Sequence, residues 1–171
     1  MSDDPHFNPI RNIILPDAKK QPDRSLAIVL AAVVEDQLGG MLQAKVVDDK
    51  KTIEKMFSGM GPLATFSAQI DLGFLLGFYG DEIHKLLHAI RVVRNTYAHE
   101  MRPLDFTSNV ITTKMGPFEF INSFSPHRPK LGRELYIFGC EFCLGATYTV
   151  RTDEGRFRKP ITGQRPTGAT S

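Results

Sequence analysis

The chain is predicted to be all-α: a single-domain bundle of about four or five helices, with a flexible N-terminal arm and a flexible C-terminal tail. Three observations predict this. Apolar residues recur at helical spacing in four long segments. No segment alternates cleanly with period two. Prolines and glycines cluster between the apolar segments and at both ends of the chain. The 171 residues, 42% hydrophobic and 23% charged, suffice for one domain with a substantial core. The boundaries expected are an arm over 1–22, a helical domain over 23–151 and a basic, disordered tail over 152–171.

The arm carries Pro5, Pro9, Pro16 and Pro22, and only Ile13, Ile14 and Leu15 offer it an anchor. Asp23, with Ser25 as a second capping candidate, opens a helix that is apolar on nearly every side from Leu26 to Leu42 until Glu35. Gly39 and Gly40 weaken its late part without ending it. Val46 to Lys51 is a charged break, and Thr52 to Phe57 a short helix. Pro62 suits the first turn of the next helix, Leu63 to Leu76, in which Phe66, Ile70 and Phe74 recur every four residues.

Asp81 is expected to cap a helix from Glu82 to Met101, stopped by Pro103. At about 100° per residue, Ile83, Leu86, Ile90, Val93, Tyr97 and Met101 share one face. His84, His88, Arg91, Asn95, His99 and Arg102 share the other, and Arg94 falls at the border. Leu104 to Phe124 is either a short helix and a loop or a hairpin. Arg133 to Val150 reads as the last core helix.

Bulk chemistry narrows the function classes. A net charge of +2 is no footprint of strong nucleic-acid binding. The charge is uneven, since Arg151, Arg156, Arg158, Lys159 and Arg165 stand against Asp153 and Glu154 in the tail. The polar, acidic start predicts no signal peptide. Leu26 to Val34 is too short for a membrane span, and a cytoplasmic protein with no membrane partner is expected. Cys140 and Cys143 lie inside an apolar pattern and read as small buried thiols. No phosphate-binding glycine loop and no serine-nucleophile motif is present.

The segment Arg94-Asn95-Thr96-Tyr97-Ala98-His99 carries the most chemistry. A histidine near neutral pKa can move a proton, and a guanidinium can hold phosphate oxygens through two parallel hydrogen bonds. Arg94 and His99 lie about 140° apart in helical projection, so the long arginine must reach round to meet the histidine. Asn95 and His99 share a face directly. The architectural alternative is a partly buried Arg94 paired with Glu35 or Asp71, each in an otherwise apolar helix. His84 and His88 have a spacing that can bind metal. Glu82 and Glu100 are not placed to complete such a site, so a solvated face is expected, with no metal and no cofactor.

Two resemblances follow from these residues. Gly61-Pro62-Leu63-Ala64-Thr65-Phe66-Ser67-Ala68-Gln69-Ile70-Asp71-Leu72, followed by Leu76-Gly77, resembles the hallmark of the bacterial mannitol operon repressor family. Arg91-Val92-Val93-Arg94-Asn95-Thr96-Tyr97-Ala98-His99 is similar to its second hallmark, and Asp23-Arg24 with the run to Glu35-Asp36 to its first helix. The match spans roughly 23–102. It implies an all-helical, dimeric cytosolic regulator. No helix-turn-helix with a basic recognition helix is visible, so action through a protein partner is expected rather than direct DNA binding. The Arg94 to His99 spacing also resembles that of HEPN-type domains. That resemblance implies the alternative: a metal-independent endoribonuclease acting on RNA, with His99 as general acid/base, Arg94 as phosphate clamp and Asn95 in support.

Overall fold

The computed structural model describes residues 14–46, 48–122 and 132–152, together with Asn12. The rest of the proline-rich arm, the Pro126 and Pro129 segment and the basic tail lie outside the described residues. Within them the protein is all-α with no strand. Five helices have eight residues or more: α2 (Asp23–Gln43), α3 (Lys50–Phe57), α4 (Phe66–Leu75), α5 (Asp81–His99) and α8 (Arg133–Thr152). Three single turns, α1 (Leu15–Ala18), α6 (Asn109–Thr112) and α7 (Glu119–Asn122), and a 3₁₀ turn at Gly116–Phe118, fill the gaps. Of the two readings of residues 104–124, the short-helix one holds over the described residues 104–122.

α2 is the central element. Its apolar residues face every direction, and it packs on α8, α5 and α4. Leu26, Leu30, Leu38 and Met41 are fully buried. By length and apolar composition α2 would also suit a membrane span; here it forms the core of the bundle. The helix continues through Gly39 and Gly40. Aromatic rings extend the core from α5 to α8. Tyr97, Phe106, Tyr136 and Phe118 follow one another at centroid distances of 5.2, 5.1 and 5.7 Å. The Tyr136 hydroxyl donates to the Ala27 carbonyl at 3.0 Å. Cys140 and Cys143 are free and fully buried, and burial pushes both thiols far up, so neither is a ready nucleophile.

Several helix ends differ from expectation, each for a local reason. Pro22 occupies the N-cap of α2 and has no polar side chain to cap it, while Asp23 is the first helical residue and its carboxylate is engaged elsewhere. Asp23 accepts from Arg133 Nη1 and from the Phe106 backbone N–H. Arg133 also donates to the carbonyls of Lys19 and Gln21 at 2.7 and 2.8 Å. One guanidinium thus ties the end of the arm and the start of α2 to the start of α8. Leu15 and Ala18 anchor the arm through burial. α4 begins later than expected, at Phe66, where the Thr65 hydroxyl accepts from the Ala68 N–H at 3.3 Å; Pro62 precedes the helix.

α5 starts after Gly80, so Asp81 is its first residue and not its cap, and it pairs with Lys85. α5 ends at His99, before Pro103. Arg24 Nη2 draws the Glu100 and Arg102 carbonyls out of helical geometry at 2.8 and 3.0 Å. Met101 therefore leaves the apolar stripe and is 93% exposed.

α4 and α5 form an antiparallel pair whose register is set by the turn between them. Gly77, at φ 71°, follows the C-cap Leu76. Its N–H bonds the Phe74 carbonyl, and the Phe78 N–H bonds the Gly73 carbonyl, the paired bonds of a Schellman turn. Gly73 has no side chain because the Tyr79 ring lies where a Cβ would be, and the Tyr79 hydroxyl donates to the Ile70 carbonyl at 2.7 Å.

Candidate functional site

α5 carries the candidate residues, and the neighbouring helices distribute them into two places. The first is a hollow of about 310 Å³ lined by Glu35 of α2, by Thr65, Phe66 and Ser67 at the start of α4, and by Arg91, Arg94 and Asn95 of α5. Arg94 Nη2 donates to Glu35 Oε2 at 3.1 Å, and both side chains are 30% exposed. Arg94 is therefore tied across the α2–α5 packing by one half-buried, single-contact ion pair. Asp71, the other expected partner of Arg94, meets His84 and His88 instead. The Arg91 Nε is buried without a partner in the same neighbourhood. On its other side Glu35 borders a wider hollow of about 630 Å³, shared with Asp36, Gln43 and Phe57.

His99 does not line this hollow. It sits exposed on the last turn of α5, while Asn95 is half-buried. Arg94, Asn95 and His99 are thus one helix segment but not one cleft within a single chain. The five-residue offset that separates them in projection is not bridged by the arginine, because Glu35 holds it on the other side.

The second place is the junction of α4 and α5. His84 and His88 occupy successive turns of one face of α5, and Asp71 of α4 meets them. Asp71 Oδ1 lies 2.9 Å from His84 Nε2 and 3.0 Å from His88 Nε2, and the two Nε2 atoms are 3.2 Å apart. Phe74, one turn after Asp71, stacks on the His84 ring with centroids 4.3 Å apart and planes within 15°. His84 and His88 set edge to face at 4.7 Å. The histidine side chains are 21% and 26% exposed and Asp71 is 53% exposed. The expectation of a solvated histidine face is thereby corrected: both rings are mostly covered and converge on a carboxylate. Its close contacts with His84, and then with His88, hold the Asp71 carboxyl below its usual range.

Sequence spacing within α5 gave no sign of this third group, since Asp71 lies 13 residues before His84. A signal was present in combination. Asp71 and Phe74 stand three apart before a short glycine turn, and the chain returns as a helix with histidines in its first two turns. Beyond the helix, the exposed Arg102 pairs with the partly covered Glu100, and hydrogen bonds from the Arg102 side chain and backbone pull the Glu100 carboxyl down to about 2.

No family model, no curated protein and no solved structure matches this chain.

Proposed function

We propose that the chain is a regulatory, protein-binding module on a helical scaffold like that of the mannitol operon repressors, working as a homodimer and through a partner rather than by reading DNA itself. One observation carries this reading. Arg94 is engaged by Glu35 in a hollow that His99 does not enter, so the residues that ribonuclease chemistry needs serve packing or stand apart. DNA reading has little support among the described residues. The exposed basic helix α3 is separated from α4 by residues 58–65, longer than a helix-turn-helix turn, and α4 carries no basic residue and serves the core. Exposed Leu75 and Leu76 at the end of α4 supply apolar surface of the kind partners cover.

A second reading, the metal-independent ribonuclease, is favoured by the partnerless Arg91 Nε beside Arg94, Asn95 and the first turn of α4, a place suited to a phosphate. Its His99 would have to come from a second subunit.

Two measurements test the proposal. Sedimentation at micromolar concentration is expected to give a dimer; a monomer removes the homodimer and the shared-cleft ribonuclease together. Purified protein incubated with single-stranded RNA and a chelator is expected to give the same products as His99→Ala. Cleavage to 2′,3′-cyclic phosphate ends by the wild type alone overturns the regulatory reading.

A further inference from the structure

We propose that Asp71, His84 and His88 form a binding site for a divalent first-row transition-metal ion that clasps α4 to α5. The site is separate from the hollow around Arg94 and does not depend on the regulatory reading.

The geometry of the three donor atoms carries the proposal. Asp71 Oδ1, His84 Nε2 and His88 Nε2 make a nearly equilateral triangle with sides of 2.9, 3.0 and 3.2 Å. Ligands about 2.0–2.1 Å from a metal are about 2.9 Å apart in an octahedral site and about 3.3 Å apart in a tetrahedral one. The observed sides fall in that interval. An ion equidistant from all three atoms at such a bond length stands about 1.1 Å above their plane. Two imidazoles and one carboxylate suit zinc, iron(II), cobalt(II) and nickel(II) and disfavour calcium and magnesium, which take oxygen donors.

Hydrogen bonding accounts less well for the same triangle. Two Nε2–H groups that both donate to Asp71 leave two donors facing each other at 3.2 Å. One Nε2–H leaves one of the three contacts without a proton. With both rings protonated at Nδ1, three lone pairs converge. A cation at the centre satisfies all three contacts at once, with each ring neutral and its proton on Nδ1.

The surrounding packing holds the donors in place. His84 and His88, at i and i+4, are neighbours on the helix surface. Phe74 stacks on His84 and fixes its ring plane. The Gly77 turn fixes the height of Asp71 along α5. The half-exposed Asp71 leaves a path from solvent. The buried thiols of Cys140 and Cys143 are on α8 and take no part.

The test uses the full chain, stripped with chelator and titrated with zinc chloride, read by calorimetry and by imidazole nitrogen NMR. One equivalent of zinc is expected to bind and to shift the Nε2 resonances of His84 and His88 while leaving His99 unmoved. Loss of an outer partner of a metal ligand weakens binding about 10- to 100-fold, so His84→Gln, His88→Gln and Asp71→Asn should each weaken it at least that much. Asp71→Asn alters a half-exposed carboxylate, and its circular dichroism should match the wild type, which separates lost binding from lost fold. Zinc that binds the wild type and the His84→Gln/His88→Gln double variant within about twofold overturns the proposal. So does a titration with no shift at His84 and His88.

Discussion

Arg94 decides between scaffold and catalyst, and its contribution to stability can be worked from the structure. The perturbation is a double-mutant cycle with Arg94→Met and Glu35→Gln. A fully buried pair that loses one partner costs about 3–5 kcal/mol, and an exposed pair about 0–1 kcal/mol. Each side chain here is 30% exposed, and the contact is one nitrogen to one oxygen at 3.1 Å. That places each single substitution at about 1–2 kcal/mol, below the fully buried figure that a sequence-based reading of a buried arginine implies. For a domain of this size, such a loss lowers Tm by about 2–8 °C.

The assay is urea unfolding of the four proteins. The midpoints should move while the slope m stays constant, because the surface exposed on unfolding is nearly the same. The coupling energy should be about 1 kcal/mol. Independent substitutions add within about 0.3–0.5 kcal/mol, so a coupling inside that range would refute the claim that the two residues act as a pair. An Arg94→Met protein of unchanged stability that also lost an RNA-cleaving activity would move Arg94 from architecture to catalysis.

Other predictions rest on single contacts. The Tyr97 hydroxyl is buried and has no partner, so Tyr97→Phe should raise stability by about 1 kcal/mol, measured by urea unfolding; a loss of that size would reveal a hidden partner. Gly73→Ala drives a methyl into the Tyr79 ring and should cost about 1–3 kcal/mol, much of it recovered by adding Tyr79→Leu. The Glu100 carboxyl should titrate by carbon NMR with a midpoint of about 2, and Arg102→Ala should return it toward the usual range. Because the folded value is lowered, the stability linked to Glu100 is present above the ordinary carboxylate range and is lost as pH falls toward about 2.

The helices were legible because their cores are periodic: Phe66 and Ile70, or Leu86, Ile90, Val93 and Tyr97, mark buried faces without outside help. The ends were less legible because long-range partners set them. Arg24 ends α5 from 76 residues away, and the Asp23 that reads as a cap is held by an arginine 110 residues on. The site divides in the same way. The partial burial of Arg94 follows from its place at the border of the apolar stripe, and Glu35 was one of two carboxylates in apolar helices. Which of the two it meets depends on how α4 turns about its own axis, and that is fixed by the Gly77 turn and by Tyr79 packed on Gly73. The same rotation that removes Asp71 from Arg94 delivers it to His84 and His88.

α4 therefore serves two places with one short helix. Its first turn, with Thr65 and Ser67, borders the Arg94 hollow; two turns on, Asp71 and Phe74 meet the histidines. On α5, His88 and Arg91 are three residues apart, a rise of about 4.5 Å. A slide of α4 by one helical turn, about 5.4 Å, would carry Asp71 past both rings and move Thr65 and Ser67 away from Arg91 at the same time. The Schellman turn and the Tyr79 bond to Ile70 oppose that slide from one end. A metal on Asp71, His84 and His88 would oppose it from the middle. Zinc and Glu35 then act on α5 through different helices, α4 and α2. The stability gained from zinc should add to the Arg94–Glu35 coupling without changing it, and repeating the double-mutant cycle with zinc present measures this. A coupling altered by more than about 0.5 kcal/mol would mean that α4 also governs how Arg94 reaches Glu35.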